Sequence, residues 1–281
     1  MKYDCLDRSL DLTTPQVMGI LNITPDSFSD GGVFFSLDSA RRQAERMADE
    51  GATIIDIGGE STRPGARPIS AGEELDRVIP VVEALHEDLD IALSIDTSKA
   101  VVMKEAIAAG AGMINDVRAL REPGALEAAA ATDALVCLMH MRGEPRGMQK
   151  DVRYADVTAE VSSFLRQRIR ACREMGISEN RLLIDPGFGF GKELGHNRQL
   201  FRDLSRFVGM GFPVLIGVSR KALVGAILGH EVRDRVYGSI ALATLAIMQG
   251  VTLIRAHDVG ATVDAVRICQ AIIETRGKDD E

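Results

Sequence analysis

The chain has 281 residues, 46% of them hydrophobic, enough to bury a large core as one big domain or two small ones. Aromatic residues make up only 4% and tryptophan is absent, so the core must be aliphatic. A formal net charge of -8 argues against a generic nucleic-acid or membrane-surface binder, which is usually basic, but it leaves room for a local cationic pocket.

Cys5, Cys137, Cys172 and Cys269 are scattered without metal-type or redox-type spacing and read as reduced structural thiols of a cytosolic protein. Met1 to Leu10 carries Asp4 and Asp7 and lacks the apolar stretch of a signal peptide. The longest apolar window, Ile240 to Met248, is too short to span a bilayer. The expectation is a cytoplasmic chain without nucleic-acid or membrane partners.

Eight short apolar runs follow in order, each ending in polar residues and then a helix-period segment. Val17 to Leu21 runs into Asn22, Asp26 and Gly31-Gly32, before a helix from about Leu37 to Glu50 with Ser36 as N-cap. Thr53 to Ile57 ends in Gly58-Gly59 and the polar set Glu60, Ser61, Thr62 and Arg63, with Pro64 and Gly65 barring an immediate helix. Ile91 to Ile95 ends at Asp96, and its helix is closed by Gly110. Gly112 to Ile114 ends at Asn115-Asp116, and Pro123 is expected in the first turn of the next helix.

Ala134 to Met139 ends at His140, followed by a long polar loop and a helix to Met175. Arg181 to Ile184 ends in Asp185-Pro-Gly-Phe-Gly-Phe-Gly-Lys192, before one helix across Asn197 to Val208. Pro213 to Gly217 leads to Ser219-Arg220-Lys221, then to helices over Ala222 to Leu228 and about Arg235 to Gln249. Val251 to Ile254 ends at Arg255-Ala-His257-Asp258, before a last helix to about Thr275.

Eight βα units without a linker or charge block fit a single domain over residues 1–281, a (β/α)8 TIM barrel of parallel strands. A doubly wound sheet with an extra domain is the alternative. The loops after the first two strands, Asn22 to Ser36 and Gly58 to Ser70, exceed the about two to six residues usual for such connections and suggest lids. Ser239 to Met248 is apolar on nearly every face, which predicts a partner subunit and a homo-oligomer.

In such a barrel the strands' C-terminal ends converge on one site. Asp96, Asn115 and Asp185 there offer acceptors and an amide suited to a flat heterocycle with ring N–H and amino groups. Ser219, Lys221, Arg255 and His257 offer donors and positive charge where these barrels bind phosphate. Arg63 adds a mobile cation. Singly, Asp96 or Asn115 could equally be a helix cap, and Lys221 or Arg255 a surface charge; His140 stays open between site and packing. Asn22 and Asp26 could hold Mg2+ if a diphosphate bridges the metal.

At these residues the chain resembles the dihydropteroate synthase family. The resemblance runs from Val17 to about Ala271 and is carried by GILNITPDSFSDGG (19–32), DIGGESTRPGA (56–66), SIDTSKA (94–100), IND (114–116), LIDPGFGFGK (183–192), GVSRKALVG (217–225) and IRAHDV (254–259). It implies a homodimeric (β/α)8 transferase of folate biosynthesis that joins 6-hydroxymethyl-7,8-dihydropterin diphosphate to p-aminobenzoate. It further implies that Asp96, Asn115, Asp185 and Lys221 contact the pterin, while Asn22, Thr62, Arg255 and His257 serve the diphosphate, with Mg2+ at Asn22. Phe28, Arg63, Pro64, Phe190 and Ser219 would surround the aminobenzoate, and sulfonamides would compete there. With Asp96, Lys221 and Arg255 as the catalytic set, ionisation of the diphosphate comes first and no covalent enzyme intermediate forms. A pterin-binding methyltransferase would need neither the STRPG lid nor the strand-end SRK, and a non-catalytic pterin-binding regulator would need no intact polar set.

Overall fold

The computed structural model describes residues 2–24, 37–61, 65–143, 147–148 and 152–276. It begins with an antiparallel hairpin of β1 (Lys2–Cys5) and β2 (Arg8–Asp11), which the sequence did not announce. The turn carries no glycine; Leu6 itself takes the left-handed conformation, with φ 59°.

The eight apolar runs become β3 (Gln16–Asn22), β4 (Ile54–Gly58), β5 (Ala92–Asp96), β6 (Met113–Asp116), β7 (Leu135–Met139), β8 (Leu182–Asp185), β9 (Leu215–Ile216) and β10 (Leu253–Ala256). They pair in parallel in the order β8-β7-β6-β5-β4-β3-β10-β9. A parallel bridge between Ile184 and Val214 joins the two outer strands, so the sheet closes into a (β/α)8 barrel. β9 is shorter than expected from Pro213 to Gly217: Pro213 has no N–H to give and contributes only its carbonyl, to Ile184 N at 3.0 Å.

The helices are α1 (Leu37–Asp49), α2 (Ala71–Asp88), α3 (Ala100–Ala108), α4 (Ala125–Ala130), α5 (Val157–Glu174), α6 (Leu194–Arg202), α7 (Leu204–Val208), α8 (Ala222–Leu228), α9 (Val236–Ile247) and α10 (Val259–Arg276). Two expectations need correction. Pro123 lies ahead of α4 rather than in its first turn, because Gly124, at φ 77°, takes the N-cap position. The single helix expected to reach Val208 breaks at Asp203, whose carboxylate accepts from Thr158 Oγ1 of α5 at 2.7 Å.

Strand parity divides the core. Ile55, Ile57, Leu93, Ile95, Ile114, Val136, Leu138, Ile184 and Ile254 point outward and pack with the buried faces of the helices. Met18, Ile54, Ala92, Met113, Leu135, Leu183, Leu215 and Leu253, one from each stave, point inward and meet Tyr3, Cys5, Leu10 and Leu12 of the hairpin region. The hairpin therefore plugs the N-terminal end of the barrel. Gly112 lets it approach: a Cβ there would sit 2.5 Å from the Cys5 backbone. All four cysteines are free and buried.

Candidate active site

The same parity builds the site. Two residues beyond the inward apolar layer stand Ile20, Asp56, Ser94, Asn115, Cys137, Asp185 and Arg255. One step further along their own strands stand Asn22, Gly58 and Asp96, paired laterally as Asn22↔Gly58 and Gly58↔Asp96, with Asp96↔Asn115 beyond. A barrel closed below by apolar side chains thus carries polar ones above, at the C-terminal mouth.

Arg255 organises one side of this floor. Its Nε donates to Asp56 Oδ2 at 2.6 Å and its Nη2 to Asp96 Oδ2 at 2.8 Å. Asn115 Nδ2 donates to the same Asp56 oxygen at 2.9 Å. Asp56 is 0% exposed and is not a site residue by sequence position alone, since it lies inside an apolar stave rather than at its end. A carboxylate on the inward parity of a fully buried strand must find cations or donors there, and that signal was legible. Its Oδ1 and the neighbouring Ser94 Oγ are buried without a hydrogen-bond partner among the described residues.

Burial pushes the Asp96 carboxyl up to about 7; Arg255 pulls it back, while Asp56, Glu74 and Asp116 add to the rise. Burial works against the Arg255 charge, but Asp56 and Asp96 prevail and hold its pKa above the ordinary value.

Lys221 and the loop after β8 form the other side. Burial lowers the Lys221 ammonium to about 8, against the pull of Asp185. Asp185 is itself raised, first by burial, with Lys221 opposing. Its Oδ1 accepts from Gly187 N at 2.7 Å, which turns the loop back over the strand end. Lys221 Nζ donates to the Phe188 carbonyl and stands 4.4 Å from the centre of the Phe190 ring.

Ser219 and His257 come together, with Ser219 Oγ 3.1 Å from both His257 N and Nδ1. Arg220, between two site residues, turns away: at φ 55° it is paired with Asp258, and its N–H donates to Ser239 Oγ at 2.9 Å. It fixes the turn that presents Ser219 and Lys221. Asp116, despite ending a stave, serves its own loop, accepting from Arg118 N at 2.8 Å and Leu120 N at 2.7 Å.

Phe28, Thr62, Arg63 and Pro64, with Asp26 and most of the first long loop, lie outside the described residues. The described base of the second loop is fastened: Glu60 accepts from Ile69 N at 3.2 Å and pairs with Lys99, which also reaches the buried Glu74. A cavity of about 670 Å³ opens beside it, reaching the floor at Asp96 and rimmed by Lys99 and Arg118. Among the described residues no group of three His, Cys, Asp or Glu could hold a metal ion. His140 is not in the site; its ring points outward from the barrel, edge-on to Phe164 of α5 at 4.9 Å.

A family model for pterin binding enzymes matches residues 18–257. A dihydropteroate synthase of Haemophilus influenzae is 52% identical over 271 residues, covering 96% of this chain and 98% of that protein. The structure of Yersinia pestis dihydropteroate synthase in a sulfonamide drug complex superposes with a TM-score of 0.94 at 54% identity, covering 98% of this chain and all (100%) of that one. The Xanthomonas albilineans dihydropteroate synthase solved with 4-aminobenzoic acid gives 0.92 at 52% identity, covering 96% of this chain and 97% of that one.

Proposed function

This chain belongs to the dihydropteroate synthase family, and from that premise we propose how its barrel mouth divides the work of the reaction. The chain is a transferase of folate biosynthesis, condensing 6-hydroxymethyl-7,8-dihydropterin diphosphate with p-aminobenzoate to give 7,8-dihydropteroate and pyrophosphate. The observation that carries the assignment of roles is the placement of Asp185, Lys221, Asn115 and Asp96 around one buried floor, with Arg255 clamped between Asp56 and Asp96.

Asp185 and Asn115 pair with the ring N–H and amino groups of the pterin, and Lys221 donates to its acceptors. The bond from the pterin methylene carbon to the diphosphate oxygen breaks first, and its electron pair leaves with pyrophosphate. The positive charge spreads into the pterin, where the carboxylates of Asp96 and Asp185 stabilise it. Arg255 and His257, joined by Asn22 and Thr62, receive the departing anion. The neutral arylamine, held by Phe190 and Ser219 with Phe28, Arg63 and Pro64, gives its lone pair to the carbon, and the strongly acidic N–H of the resulting anilinium passes its proton to solvent water. No general base and no enzyme nucleophile take part.

Asn22 fits Mg2+ as a minor ligand only: it offers one neutral oxygen at the end of β3, with no carboxylate cluster beside it among the described residues. Mg2+ keeps several waters and is held chiefly by substrate phosphates, so one amide suffices, and the bound ion would neutralise charge on the leaving diphosphate.

We assign the exposed apolar face of α9 and α10, with Leu245 at 55% and Ile268 at 67% exposure, to a second copy of the chain. A cytoplasmic location is proposed on the four free, buried cysteines. Among the described residues no helix is long and apolar enough to cross a membrane.

The test is pyrophosphate release from the pterin diphosphate with p-aminobenzoate and Mg2+. Release that depends on both substrates is expected, and it should fall with EDTA and return with added Mg2+. No release above background overturns the assignment.

A further inference from the structure

Lys192 ends the loop after β8 and is 2% exposed, yet the reaction as described makes no use of it. Its Nζ lies 2.8 Å from Gly187 O, 3.1 Å from Phe190 O, 3.3 Å from His140 O and 2.9 Å from His140 Nδ1. An ammonium donates three hydrogen bonds, and a neutral amine donates two and accepts one, so these partners hold the nitrogen in either state. Burial drives the Lys192 ammonium well below the ordinary lysine range, and the same burial, with Lys192 and Arg142 nearby, lowers His140 to about 2. His140 is therefore a neutral ring at any physiological pH.

Two glycines let the loop lie against the segment that follows β7, and a third, Gly189, faces the Lys221 side chain. A Cβ on Gly187 would come within 1.9 Å of His140 O, and one on Gly191 within 2.2 Å of Arg142 O. Gly187, Gly189 and Gly191 all take positive φ, at 71°, 83° and 61°. A loop so free in its backbone needs a fixed point, and the Lys192 side chain binds both of its turns to His140. The two residues between those turns, Phe188 and Phe190, supply the carbonyl and the ring that meet Lys221.

We propose that Lys192, anchored on His140, is a positioning residue for the reaction, setting the place of Phe190 and of the Phe188 carbonyl and hence the boundary between the two substrates. The proposal rests on the synthase assignment above. The backbone of Asp185 is held apart from Lys192, in the β7–β8 ladder opposite Met139. Lys192 reaches Gly187 at its carbonyl, not at the N–H from which the Asp185 carboxylate accepts. Loss of Lys192 should therefore disturb the aminobenzoate side more than the pterin side.

The test compares Lys192→Met, His140→Leu and His140→Asn in the full chain, measuring thermal midpoint, pterin Kd, and kcat and KM for p-aminobenzoate. Lys192→Met and His140→Leu are expected to raise the aminobenzoate KM about tenfold or more, with pterin Kd within about threefold. His140→Asn, whose side-chain oxygen can take the place of Nδ1, should restore most of that KM. Equal losses on both substrates, or an unchanged aminobenzoate KM in a folded variant, overturn the proposal. If Lys192→Met does not fold, the His140 pair decides. If the wild-type chain releases no pyrophosphate, the synthase assignment has failed; if it turns over and the variants match it, only the role of Lys192 has failed.

Discussion

Replacing Asp56 by alanine tests whether the floor depends on a residue that touches no substrate in the assignment above. Asp56 is fully buried and accepts from Arg255 at 2.6 Å and Asn115 at 2.9 Å. Removing one partner of a buried pair costs about 3–5 kcal/mol, and the lower end applies because Arg255 keeps Asp96 at 2.8 Å. The Asn115 amide left without its acceptor adds about 1 kcal/mol. A total of about 4 kcal/mol, at about 2–4 °C for each kcal/mol in a chain of this size, lowers the thermal midpoint by roughly 10 °C.

The change also has an electrostatic signature. Asp56 helps push Asp96 up, and its loss turns Arg255 wholly toward Asp96, so the Asp96 carboxyl should ionise at lower pH. Thermal melts followed by circular dichroism, together with the pH dependence of kcat/KM, read both effects. A midpoint within about 2 °C of wild type with the acid limb unmoved would refute the reasoning.

In the wild-type chain kcat/KM for the pterin diphosphate should rise through about 7 as Asp96 gains its charge, then fall through about 8 as Lys221 loses its proton. Lys221→Arg should remove the alkaline limb; a limb that persists belongs to another group. Asp185→Asn is expected to weaken pterin binding by about a hundredfold or more, measured by titration calorimetry, because a charged partner of the ring is lost. Unchanged affinity would remove Asp185 from the ring. Leu10→Ala, at the opposite end of the barrel, should cost about 2–5 kcal/mol in denaturant unfolding and leave KM for both substrates unchanged. A shift in either KM would mean that the plug communicates with the mouth.

Much of this was written in the chain itself. The β-branched staves ending in Asn22, Asp96, Asn115, Asp185 and Arg255 announce a parallel barrel with its chemistry at one end, because a strand apolar on both faces must lie between a core and a helix layer. Period-two counting even reaches Asp56, inward with Ile54, and directs His140 outward with Leu138. Tertiary structure alone decided the rest. Nothing local marks Lys2 to Leu12 as the plug of the barrel, since its partners are eight inward side chains scattered along the chain. Nor does sequence spacing reveal that Arg220 faces away from the site while Lys192 is buried within reach of His140. Such pairings depend on where closure brings distant strand ends, and a side chain's partner across the barrel leaves no periodic trace in its own segment.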